Sequence, residues 1–166
     1  EPNPRSTLST TDWDYSDCFQ SYLQQALNYQ SNGVSVSDWE RFEDEQLNIP
    51  YQKWQRIMAL MLNTLKRGDT LQIQLRGFAS PLAASDYNEK LTSRRIQSVK
   101  NELSKFDQGA LNPYMAHQLV IEELPMGEER SQVALSDDAQ NKRESVFSEK
   151  ARAARRIEIV DIRRIH

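Results

Sequence analysis

The chain has 166 residues, 38% of them hydrophobic and 27% charged, a size and balance that suit one domain with a proper core. Its net charge of −3 gives no general attraction to nucleic acid or an anionic membrane, and no apolar run approaches the ~20 residues that span a bilayer. The lone Cys18 excludes an intramolecular disulfide and a thiolate zinc cluster.

The chain opens on Glu1-Pro2-Asn3-Pro4 with no leader in view, as expected of a piece of a longer protein. Residues 1–13 read as an extended lead-in, rich in Pro, Ser and Thr. Cys18, Phe19, Tyr22, Leu23, Ala26 and Leu27 recur at intervals of three and four, which predicts a helix over residues 14–29, stopped by Ser31-Asn32-Gly33. Ser37-Asp38-Trp39-Glu40 reads as a capping box that opens a short acidic helix to about Leu47, with Trp39 and Phe42 as its apolar face. Pro50 suits the first turn of the next helix. Trp54, Ile57, Met58, Met61, Leu62 and Leu65 give that helix the longest apolar stripe of the chain, and Gly68 is expected at its C-terminal cap.

Residues 71–76 alternate: Leu71, Ile73 and Leu75 point one way, Gln72, Gln74 and Arg76 the other, the pattern of a half-buried strand. Gly77 is expected to end it, and the small residues around Pro81 to form a loop. After Asp86 the period changes, and Leu91, Ile96, Val99, Leu103 and Phe106 fit a helical stripe. Asp86 reads as the N-cap of this helix or as a ligand-facing carboxylate. Arg94 and Arg95 fall on its first turns. A strand thus delivers the chain to a small-residue loop, and a helix returns carrying two guanidinium groups, an arrangement that suits capture of a carboxylate. Arg94 points about a quarter-turn from Arg95 and is expected at the surface or in an intramolecular ion pair.

Residues 107–110 read as a turn, and residues 114–118 are ambiguous. Residues 119–124 are a β-rich run that Pro125 is expected to end. Residues 126–150 are expected to form a long loop, tacked back down by Ser145-Val146-Phe147-Ser148. Residues 155–162 alternate as a last strand. Together these elements predict an α/β fold: a mixed β-sheet with helices packed on one face. The helix between the first two strands makes them a parallel crossover, whereas the last strand fits either direction. His117 and His166 are the histidines, and no metal-spacing motif, nucleophile elbow or phosphate loop is present in the sequence. The expectation is a protein that is not an enzyme and has no cofactor and no metal.

Gly77-Phe78-Ala79-Ser80, followed by Asn88-x-x-Leu91-Thr92-x-x-Arg95, resembles the OmpA-like C-terminal peptidoglycan-binding domain. That family shows Gly-aromatic-Thr-Asp and then Asn-x-x-Leu-Ser-x-x-Arg, its Asp and Arg standing fifteen positions apart, as Ser80 and Arg95 do here. The wording Gly77 to Ala83 is similar to the form of the domain in Bacteroidota, including components of the type IX secretion apparatus. The resemblance covers roughly residues 38–162 and is specific in residues 77–95. It implies an OmpA-like βαβαβ sandwich, with a first strand expected upstream of Glu1.

The resemblance also implies a partner: the peptidoglycan stem peptide, held through the free ends of diaminopimelate. The ligand-binding residues it marks are Ser80 with its loop neighbours Ala79 and Pro81, Arg95 as the carboxylate's partner, Asn88 bracing the loop and touching the ligand, and Leu91 as a core residue with an edge in the pocket. Arg155 lies in Ala154-Arg155-Arg156-Ile157-Glu158-Ile159, which is similar to the family's closing Asn-Arg-Arg-Val-Glu-Ile; it reads as a site residue or as half of a structural ion pair. A periplasmic location follows, tethered to the outer membrane through a parent protein and its assembly. Ser80 departs from the family's Asp. A hydroxyl offers the ligand's ammonium a neutral bond in place of a charge-assisted one about twice as strong. The rival reading is therefore a protein–protein module that keeps the fold without wall binding.

Overall fold

The computed structural model describes residues 6–79, 85–128, 140–141 and 146–165. Residues 6–13 have no regular secondary structure, in keeping with a lead-in. Helix α1 (Tyr15–Leu23) starts on a capping box in which the Asp14 carboxylate accepts from Asp17 N–H and the Asp17 carboxylate from Asp14 N–H. Helix α2 (Ala26–Ser31) follows, so two helices replace the one expected over residues 14–29. The chain tightens at Gln24-Gln25, where Gln25 N–H bonds the carbonyl of Tyr22 three residues back.

Helix α3 (Val36–Phe42) is capped by Ser35 and not by Ser37. Ser35 Oγ accepts from Asp38 N–H at 3.1 Å, and Ser37 already lies inside the first turn. A π-helical segment (Glu43–Asn48) joins α3 to α4 (Ile49–Lys66), and the backbone stays right-handed helical across both joints. The segment expected to end near Leu47 ends at Asn48, and Pro50 lies in the first turn of α4 as expected, but no break in the backbone separates the two. Pro50 brings no N–H and a ring that crowds the carbonyl four residues back; a widened turn just ahead of it relieves that clash. Gly68, at φ +91°, closes α4 in the left-handed conformation expected of its cap.

Strand β1 (Thr70–Ala79) runs through Gly77 and beyond the expected end. Helix α5 (Ser85–Gly109) keeps helical dihedrals up to Phe106, where positive φ at Asp107 and Gln108 makes the expected turn. Asp86 sits exposed inside the first turn of α5, not at its cap. A single helical turn, α6 (Asn112–Met115), settles the segment that sequence left open, and exposed His117 follows in a turn. Strand β2 (Leu119–Glu128) continues past Pro125. Among the described residues it is an edge strand, where a missing N–H costs no ladder bond on the outer side. Residues 126–128 are thus strand and not the start of a loop. Helix α7 (Glu149–Ala154) and strand β3 (Ile157–Ile165) complete the chain.

The sheet order is β2-β1-β3, with β2 parallel to β1 and β3 antiparallel to it, a mixed α/β arrangement. Leu71, Ile73 and Leu75 are buried against Trp54, Met58, Met61 and Leu65 of α4 and Ile96, Val99 and Leu103 of α5. The opposite face is polar. Glu122 accepts from Gln72 and Gln74 at 3.1 and 3.0 Å, and Arg163 donates to Gln72. On β3 the simple alternation expected over residues 155–162 is broken. Gln74 faces Asp161 but Leu75 faces Ile159, so Val160 is an extra residue. The bulge shifts parity, and Ile157 and Ile162 both reach the core.

A second cluster is aromatic. Tyr29, Trp39, Phe42 and Phe147 are buried together, with Tyr22, Leu47 and Val146 packed against them. Phe147 is the tack expected for the returning chain.

Candidate functional site

The end of β1 and the first turns of α5 meet at Gly77. A Cβ there would stand 3.0 Å from the carbonyl oxygen of Thr92 and 3.3 Å from Ile96 Cγ1, so the close approach of strand and helix requires glycine. Ala79, Asn88, Leu91 and Thr92 are all buried at this junction. Arg95, 7% exposed, donates from Nη1 to the carbonyl of Phe78. The strand–helix geometry expected from the sequence thus sets Arg95 against the last described residues of β1. Ser80 and Pro81, with residues 82–84, lie outside the described residues.

Arg94 is not a surface residue. It is 0% exposed, donates to the carbonyl of Leu8, and holds its guanidinium 5.5 Å from the Tyr87 ring. Asn101 Nδ2 bonds the carbonyls of Thr11 and Trp13 at 2.9 and 2.8 Å. The lead-in therefore crosses α5, and the crossing is what buries Arg94.

Arg155 points into the aromatic cluster, where Nη2 donates to Val146 O at 2.6 Å and Tyr29 OH at 3.3 Å; neither partner is a carboxylate, and it forms no ion pair among the described residues. Its neighbour Arg156 is the one that meets β1. The Arg156 carbonyl accepts from Phe78 N–H at 3.0 Å, and its guanidinium lies 4.4 Å over the Phe78 ring while pairing with Glu158 at 2.8 Å. The sequence offered no sign separating these adjacent arginines, because a strand's start does not specify which of two long side chains turns to which face.

A cleft of about 450 Å³ lies away from this junction, lined by Asp14, Ser16, Tyr51, Gln55, Glu102 and Lys105. Buried Glu102 accepts from Ser16 N–H at 3.0 Å, Ser16 Oγ at 2.8 Å and Gln55 Nε2 at 2.9 Å. It docks the start of α1 onto α5. A carboxylate inside the Val99–Leu103–Phe106 stripe is the sequence signal for it. Burial raises the Asp14 carboxyl, but bonds from Lys105 and Asp17 outweigh it and hold the group below its ordinary range. Burial pushes the Cys18 thiol above its ordinary range, which lowers its thiolate content. No group of three or more potential metal ligands is found among the described residues. No helix among them is long and apolar enough to cross a membrane.

No protein-family model, curated protein or solved structure matches the chain.

Proposed function

We propose that this chain is a non-catalytic anchoring module of the OmpA-like type. It would hold the carboxylate of a diaminopimelate-containing peptidoglycan stem peptide and so tie a periplasmic, outer-membrane-tethered assembly to the cell wall, with other domains or subunits of that assembly, of the type IX secretion kind, as further partners. The observation that supports this reading most is the placement of Arg95. Its guanidinium sits at the end of β1, anchored by the Phe78 carbonyl beside buried Asn88 and Leu91 of α5. A planar donor held there is oriented in advance, which lowers the cost of receiving a carboxylate.

The second reading, a protein–protein module of the same fold, is favoured by two features: Ser80 in place of an acidic residue, and an Arg95 that already serves the backbone. Pull-down with purified sacculi separates the two. Under the anchoring reading the parent sediments with sacculi, and Arg95→Ala loses about 2–5 kcal/mol of binding, the cost of stranding a desolvated charge. Arg95→Lys restores part of it, since an ammonium is a point donor. Lys90→Ala, on the exposed side of α5, is the control. Circular dichroism checks that each variant folds. Normal binding by folded Arg95→Ala would sink the anchoring site, and a parent that ignores sacculi leaves the interaction module.

A further inference from the structure

We propose that the small cavity beside the aromatic cluster is a second binding site, for a carboxylate held by Arg152. The cavity has a volume of about 200 Å³ and is walled by Asp38 and Arg41 of α3 and by Phe147, Ser148, Glu149 and Arg152. This is below the usual size of a drug-like pocket and admits a ligand of a few heavy atoms. Arg152 is 6% exposed, and its guanidinium lies 4.4 Å over the Phe42 ring and 5.7 Å from that of Tyr29. Ring faces attract a cation but accept hydrogen bonds poorly, and Arg152 Nε and Nη1 have no acceptor among the described residues.

The other charges on the wall are already committed or exposed. Arg41 pairs with Asp38 at 2.8 Å, and Ser35 also donates to Asp38 at 2.7 Å. Glu149 is exposed and makes no ion pair with Arg152. Asp38 acts on Arg152 through space and without a hydrogen bond, so the guanidinium keeps unsatisfied donors, the condition that an entering carboxylate relieves. The wall also selects which anion. Asp38 and Glu149 repel a doubly charged group about twice as strongly as a singly charged carboxylate, which meets Arg152 with Arg41 at the rim. This site shares no residue with the Arg95 junction.

The test is a nitrogen–proton NMR titration of the whole chain with sodium acetate, against sodium chloride at matched ionic strength and, in parallel, inorganic phosphate. The Arg152 Nε–H and the Ser148 and Glu149 amides should move along one saturable curve with acetate and not with chloride. Arg152→Gln should weaken acetate binding by about tenfold or more, as expected when a charge-assisted bond is lost. Should that variant not fold, Arg41→Gln takes its place, with a several-fold loss expected. No saturable shift with acetate overturns the proposal and leaves Arg152 as a cation stacked within the cluster. Saturation by phosphate alone overturns the carboxylate assignment.

Discussion

Arginines are buried in two regions of this molecule, under different terms. At the β1–α5 junction, Arg94 and Arg95 donate to main-chain carbonyls, those of Leu8 and Phe78. In the aromatic cluster, Arg152 rests on the rings of Phe42 and Tyr29 with two nitrogens lacking acceptors. A carbonyl is a directional partner, so the first pair fixes the path of the backbone: the lead-in over α5 and the exit of β1. A ring face is a broad partner, which holds the charge without using its N–H groups. The first arrangement suits a braced junction, and the second leaves hydrogen-bonding capacity for something else.

The largest effect expected from breaking this contrast is at Arg94. Arg94→Ala removes a long side chain that is 0% exposed and strips Leu8 O of its donor, and chemical denaturation should register a loss of about 2–5 kcal/mol. Arg94→Met refills the volume but not the bond, so about 1–3 kcal/mol of that loss should remain. Next comes Gly77→Ala. The added methyl meets the Thr92 carbonyl at 3.0 Å, pushes α5 off β1 and should cost about 1–3 kcal/mol in the same assay.

A smaller change sharpens the other side of the comparison. Phe42→Leu keeps most of the apolar bulk but removes the ring face under Arg152, and the cation–π contribution lost should be about 0.5–2 kcal/mol. A loss near zero would mean that the ring holds Arg152 by shape alone. The smallest effect depends on pH. Asp14 is held below its ordinary value of 3.8, chiefly because the Lys105 and Asp17 bonds outweigh its burial. A lowered carboxylate stabilises the fold above its unfolded value and loses that contribution as pH falls through the folded one. The stability gap between the parent and Asp14→Asn should therefore narrow on acidification below 3.8, as thermal unfolding across that range would reveal.

How legible these regions were differs for physical reasons. Alternation in Leu71-Gln72-Ile73-Gln74-Leu75 and the stripe ending at Leu103 prescribe β1 and α5 locally, and a helical crossover prescribes the parallel pairing with β2. Ser35 and Ser37 each stand three residues before an acid, so capping chemistry alone does not choose between them. Pro125 forbids a central strand but allows an edge, and edge status belongs to the assembled sheet. The parity shift at Val160 is equally a property of the pairing and not of the strand. Arg94 was misplaced because a helical stripe records what lies under a helix, whereas here a distant segment lies over it. Of the candidate site, Arg95, Asn88, Leu91 and Ala79 could be located together from the motif, while neither the stacking of Arg156 on Phe78 nor the burial of Arg152 carries a local mark.

The position of β1 between its two neighbours has a consequence for the order of assembly. The chain separating β1 from β3 is roughly twice that separating it from β2, yet a doubling of loop length adds only about 0.6 kcal/mol of closure entropy. Length alone would scarcely delay β3. What distinguishes its arrival is that Phe147, Arg152 and Arg155 come just ahead of it and close onto Tyr29 and Phe42. Docking the last strand and sealing the aromatic cluster are therefore one cooperative step. Amides of β3 should exchange with solvent in concert with those of α2 and α3, elements that β3 follows by more than a hundred residues.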